Sequence, residues 1–201
     1  MKLNLNDESV LADGTGNKFD PSKIFGYSII SGNTIIDTVE QTILSGIEVG
    51  VLDDGTNYCD FKWSDAVGNT YNMREFEIDP NFGDPEKKLK SQITRLKHIV
   101  TKFIPEGTSL PEADTFVELC NGIKSLMASH SANTKPMRLK MVFNNKGYLT
   151  TPKYVPFVES MSVVKSESKL SLTDFDQLHK PTADNVVDKV DETAITDDLP
   201  F

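Results

Sequence analysis

The chain's 201 residues, 38% hydrophobic and 25% charged, suit one globular domain with an appendage and leave room for a real core. No run of about 18 apolar residues occurs, and Met1-Lys2-Leu3-Asn4-Leu5-Asn6-Asp7-Glu8 lacks the apolar stretch of a secretory signal, so a cytoplasmic protein that touches no membrane is expected. The net charge of −9 speaks against nucleic acid only as an average: residues 1–84 hold 5 Lys/Arg against 15 Asp/Glu, residues 85–160 hold 12 against 6, and residues 161–201 hold 4 against 9.

The first clear element is GIEVGVLDDGTNYCDFKW. Ile47, Val49 and Val51 share one face, Asp54-Gly55 turns the chain, and Cys59, Phe61 and Trp63 return opposite Tyr58, Asp60 and Lys62. After a turn at Gly68-Asn69, TYNMREFEI alternates again, Arg74, Phe76 and Ile78 against Tyr71, Met73, Glu75 and Glu77, completing a three-stranded meander. The period then lengthens. Asp84 and Pro85 open a helix in which Leu89, Ile93, Leu96, Ile99, Val100 and Phe103 recur at helical spacing, and Pro105 and Gly107 end it. Ser109 and Glu112 form a capping-box pattern ahead of a second helix carrying Phe116, Leu119, Ile123 and Leu126. Beyond Pro136, MRLKMVF places Met137, Leu139, Met141 and Phe143 inward and Arg138 and Lys140 outward. NNKG turns the chain, and YLTTPKYVPFVES reads as a proline-bounded edge strand.

From Ser171 onward the chain carries 8 acids, 2 lysines and few large apolar residues, too little burial to offset its ordering entropy. Residues 166–201 are therefore read as a flexible, disordered acidic tail behind a folded unit of residues 1–165. Cys59 and Cys120 fall in a strand-like and a helix-like run and read as buried free thiols, not a disulfide or metal pair.

Three strands, a two-helix insertion and two further strands make the plan of an oligonucleotide-binding (OB) fold. That is a mainly β, five-stranded barrel, helical between its third and fourth strands, whose open face and loops hold nucleic acid or sugars. Binding single strands without sequence preference needs cations for phosphates interleaved with aromatic rings for stacking. The candidates are Tyr58, Lys62, Trp63, Tyr71 and Arg74 in the meander and Arg138, Lys140, Lys146, Tyr148, Lys153 and Tyr154 in the last hairpin. Trp63 shares its face with Cys59 and Phe61, so core packing competes with base stacking there. The first helix's cations, Lys87, Lys88, Lys90, Arg95 and Lys97, read as a solvated face.

The final Asp197-Asp198-Leu199-Pro200-Phe201 adds a second signal. Together with the OB plan, the basic middle and the acidic tail, it resembles the single-stranded DNA-binding proteins. Bacterial members end in several Asp followed by Ile-Pro-Phe, and phage replication proteins with acidic tails ending in Phe are a looser parallel. The resemblance implies a protein, in the host cytoplasm if of phage origin, that binds and protects single-stranded DNA during replication, recombination and repair. It also implies that partner enzymes are recruited through the tip: Phe201 supplies a ring and a free carboxylate, Pro200 limits the unbound ensemble, and Asp197 and Asp198 meet a basic rim. Leu199 stands where the bacterial tip has Ile, only two acids are adjacent, and the insertion holds two helices; these departures favour a divergent, phage-type member over the bacterial tetramer.

An enzyme is not expected. His98, His130 and His179 have no ligand partner at helical spacing, so neither a metal nor a cofactor is called for. ADGTGNK lacks the spacing of a phosphate-binding loop, and Asp53-Asp54 and Asp197-Asp198 sit in a turn and a tail, where solvated carboxylates do not acquire the shifted pKa of acid–base catalysts. The competing non-enzymatic readings are a protein-interaction adaptor or virion component, or an RNA-binding OB protein, since stacking and phosphate contacts serve DNA and RNA alike.

Overall fold

The computed structural model describes residues 3–7, 38–170 and 176–177. Its elements are β1 (Leu3–Asn4), β2 (Thr38–Val51), β3 (Asn57–Ser64), β4 (Thr70–Phe76), α1 (Pro85–Thr101), β5 (Glu112–Ala113), α2 (Phe116–Ser129), β6 (Met137–Lys140), β7 (Val142–Phe143), β8 (Leu149–Thr150) and β9 (Val158–Ser160). Among the described residues the fold is mainly β with two α-helices. A five-stranded antiparallel sheet runs in the order β4-β3-β2-β6-β9, with both helices falling in sequence between β4 and β6. Two short pairs, β1-β5 and β7-β8, stand beside it. Among the described residues no ladder joins β4 to β9, so the sheet does not close on itself, although β8 lies against β4. No helix among the described residues is long and apolar enough to cross a membrane.

The meander forms where two-residue alternation is cleanest: Val49 opposes Cys59, Ile47 opposes Phe61, and Phe61 and Trp63 oppose Met73 and Tyr71. β2 is longer than its alternation suggests, with 14 residues, because it serves two neighbours, β3 with its second half and β6 with its first. One residue is left over between Leu44 and Gly46. That bulge shifts the inward positions from Thr42 and Leu44 to Ile47 and Val49, which is why the alternating run starts only after it.

α1 starts as its sequence predicts: Pro85 occupies the first turn and the Asp84 carboxylate accepts from the Lys87 amide at 3.0 Å. α2 does not start where expected. Glu112 and Ala113 are extended because they pair with Asn4 and Leu3, and the Asn6 amide grips Leu110 by two bonds of 2.8 Å. The cap is instead Thr115, whose hydroxyl accepts from the Glu118 amide at 3.2 Å. The apolar stripes of both helices meet the inner face of the sheet, burying Phe61, Trp63, Leu96, Ile99, Leu119 and Ile123 among others. Each such side chain contributes roughly 1.5–3 kcal/mol relative to exposure.

The last strand of the sequence reading is two strands, β8 and β9, with β9 at the sheet edge. The packed chain also extends past residue 165: Leu170 is 1% exposed, Ser168 is buried, and Asp176 and Gln177 lie against the fold.

Candidate nucleic-acid interface

Alternation decides which candidates share a surface. Lys62 and Trp63 are adjacent and Tyr71 and Arg74 are three apart, so neither pair lies on one side of a strand. Cys59, Phe61, Trp63, Tyr71 and Met73 are buried in the core. Trp63 lies against Phe103, with ring centroids 5.8 Å apart. Tyr71 donates its hydroxyl to Asp65 at 3.0 Å, and burial followed by that bond pushes its pKa up to about 12. Trp63 and Tyr71 are thus corrected from stacking candidates to core residues.

The outward face carries Glu48 and Gly50 on β2, Tyr58, Asp60 and Lys62 on β3, and Asn72, Arg74 and Phe76 on β4. Tyr58 stands directly opposite Phe76, and Asp60 opposite Arg74. The Arg74 guanidinium donates to Asp60 Oδ2 at 2.7 Å and sits 4.4 Å from the centroid of the Tyr58 ring. Tyr58 Oη donates to Glu48 Oε1 at 2.8 Å, and Lys62 Nζ pairs with the other Glu48 oxygen. The Lys62 bond first, then the Tyr58 bond, holds the Glu48 carboxyl below its usual range, while Glu48 holds Lys62 above its own. Gly50 makes the seat for the Tyr58 ring, since a Cβ there would lie 2.6 Å from Tyr58 Oη. Phe76, 43% exposed, extends the aromatic surface. Phe76, Asp60 and Glu48 join this surface beyond the residues expected from the sequence, and alternation alone puts Phe76 on the side of Arg74.

Lys146 and Tyr148 sit on the β7–β8 hairpin, where Asn144 Oδ1 accepts from both of their amides, at 3.0 and 2.9 Å. Tyr148 is 68% exposed, and the packing of β8 on β4 sets this hairpin alongside the meander. Lys153 is exposed, with its carbonyl accepting from Arg95 Nη1 at 3.2 Å. Arg95 is no part of a solvated helix face: it forks onto both oxygens of Glu75, at 2.5 and 2.6 Å.

Arg138 and Lys140 face away from the core yet are buried, because the chain after β9 folds back over them. Arg138 pairs with Glu159, its cross-strand partner, which also accepts from the Ser168 hydroxyl at 2.6 Å and the Lys169 amide at 3.2 Å. Lys140, 0% exposed, lies 2.6 Å from Asp176 Oδ2 and donates to Tyr154 Oη at 2.5 Å, while Tyr154 donates to Asp176. Burial pulls the Lys140 pKa below the ordinary lysine value although Asp176 opposes the shift. The Phe143 amide donates to the Gln177 carbonyl at 2.8 Å. Arg138, Lys140 and Tyr154 are therefore occupied within the fold, a correction to their reading as an open groove.

Asp197, Asp198, Leu199, Pro200 and Phe201 lie outside the described residues, as does His179. No group of three or more His, Cys, Asp or Glu able to hold a metal ion occurs among the described residues. His98 Nε2 accepts from the Phe157 and Val158 amides, each at 3.1 Å, which ties α1 to β9. Cys59 and Cys120 are free and buried, and a hydrogen bond between their thiols, with burial, pushes the Cys59 pKa up. Comparisons with protein-family models, curated proteins and solved structures return no match.

Proposed function

We propose that the chain binds single-stranded DNA on the outward face of β3 and β4, with the β7–β8 hairpin as its rim. The observation that carries this reading is the cross-strand pair Tyr58–Phe76 on an open sheet face shared with Lys62 and Arg74. Two rings on neighbouring strands offer adjacent stacking surfaces, each worth roughly 1–3 kcal/mol per base, and cations beside them reach the phosphates.

The sheet order supports an OB arrangement. Counted from β2, it is third-second-first-fourth-fifth, with the helices between third and fourth strands. In that fold oligonucleotides lie on the faces of strands two and three and against the loops after the first and fourth strands. The corresponding places here are the Tyr58–Phe76 face, the turn at residues 52–56 and the segment at residues 141–157, which holds Lys146, Tyr148 and Lys153. Because Glu48 and Asp60 already neutralise Lys62 and Arg74, stacking carries more of the affinity than charge does. Such a protein protects single strands during replication, recombination or repair, and its tip at Asp197–Phe201 is the proposed hook for partner enzymes.

Titration of a labelled single strand and of the matching duplex tests this. The single strand should bind more tightly, and Tyr58→Ala and Phe76→Ala should each weaken it by about 1–3 kcal/mol. Lys146→Ala should reduce the salt slope by about 0.7. Equal affinity for the two forms, or parental binding by both well-folded ring variants, refutes the proposal.

A further inference from the structure

Asp60 lies at the centre of the outward face, with Glu48 opposite on β2, Arg74 opposite on β4, and Tyr58 and Lys62 two positions away on its own strand. It is 0% exposed. One carboxylate oxygen, Oδ2, takes the Arg74 bond; the other, Oδ1, is buried with no hydrogen-bond partner among the described residues. A buried acceptor without a donor costs on the order of 1–3 kcal/mol, more when charged, so a fold that keeps one has left a place for a donor. What covers Asp60 is movable. The Arg74 side chain is 40% exposed, and its guanidinium occupies the side of the Tyr58 ring on which a base would stack. A base that takes this place displaces Arg74 toward the phosphates and leaves Asp60 buried, charged and short of two donors rather than one.

We propose that Asp60 selects the base stacked on Tyr58, favouring bases whose exposed edge presents an amino group and disfavouring thymine. This rests on the single-strand reading above. Cytosine offers its N4 amino group, and guanine the adjacent N1–H and N2–H, as donors to a carboxylate. Thymine presents a single N3–H between two carbonyl oxygens, both of which repel the Asp60 charge. Glu48 is not equivalent, since both of its oxygens already accept bonds, from Tyr58 and Lys62.

The test compares oligo-dC with oligo-dT of equal length, at neutral pH and fixed salt. The full chain should bind oligo-dC about five- to tenfold more tightly. Asp60→Asn, which replaces one acceptor oxygen by a donating NH2, should bring that ratio to about one, chiefly by weakening oligo-dC. Tyr58→Ala should weaken both oligonucleotides. Arg74→Met removes the guanidinium that competes with a base amino group for Asp60, without altering Asp60, and should widen the ratio, so the proposal stays testable if Asp60→Asn fails to fold in a thermal melt. Equal binding of the two oligonucleotides by the parent, or an unchanged ratio in Asp60→Asn or Arg74→Met, overturns the selection by Asp60 while leaving single-strand binding in place. Binding of neither oligonucleotide overturns both readings.

Discussion

The position that sets the candidate site most finely has no side chain. A Cβ on Gly50 would stand 2.6, 2.7 and 2.9 Å from Oη, Cζ and Cε1 of Tyr58, closer than real contacts allow. The atoms it meets belong to the far end of a side chain on an open face, so the ring swings off and the backbone stays. Gly50→Ala should therefore reproduce the binding loss of Tyr58→Ala, about 1–3 kcal/mol, while lowering stability by only about 1 kcal/mol through the lost Tyr58–Glu48 bond. Paired titrations and denaturant melts check this; parental binding in Gly50→Ala removes Tyr58 from the interface. At this scale Tyr58, Lys62 and Arg74 were legible in the sequence, because polar and aromatic residues at two-residue spacing share a face. The core position of Trp63 was legible as well, since it shares a face with Cys59 and Phe61; the alternation likewise sets Tyr71 on the side of Met73, opposite Arg74 and Phe76, so the side of the strand and not the residue type separates stacking surface from core.

Among the elements, α1 and the meander were legible because their signals are local: a cap and a proline at one helix start, clean alternation in three strands. α2 was displaced because its apparent capping box at Ser109 and Glu112 competes with a long-range partner. Pairing with Leu3 and Asn4 holds Glu112–Ala113 extended, and the helix begins three residues beyond them. Nothing near residue 110 in the sequence announces a strand from residue 3. Thr115→Ala should accordingly cost about 1 kcal/mol, whereas Ser109→Ala, at an exposed position outside the helix, should stay within about 0.5 kcal/mol of the parent. Equal losses in denaturant melts would return the cap to Ser109. The long β2 was half-hidden for a similar reason, since its bulge breaks the period by which strands are recognised.

For the whole molecule, the decisive contact joins the end of the fold to the chain that the composition assigns to a tail. Asp176 balances Lys140, whose ammonium is fully enclosed, and an acid in a polar, acidic stretch gives no sequence signal of such a partner. Removing one member of a buried pair leaves the other uncompensated, at a cost of about 3–5 kcal/mol. Asp176→Asn should show that loss at neutral pH, and Lys140→Met combined with it should recover most of it. The pH dependence has a defined sign. Burial holds the folded-state pKa of Lys140 below its ordinary 10.5, so between those two values the unfolded chain binds more protons and stability rises with pH. Without Asp176, which opposes the shift, the window widens downward, so the variant should gain on the parent as the buffer turns alkaline. Two truncations carry the same point to the full chain. Ending it after Gln177 keeps Asp176 and the Gln177 bond to Phe143; ending it after Leu170 removes both. The longer form should melt near the full-length protein and the shorter roughly 10 °C lower, at about 2–4 °C per kcal/mol. If both melt alike, Asp176 does not hold the charge of Lys140, and the folded unit ends by Leu170.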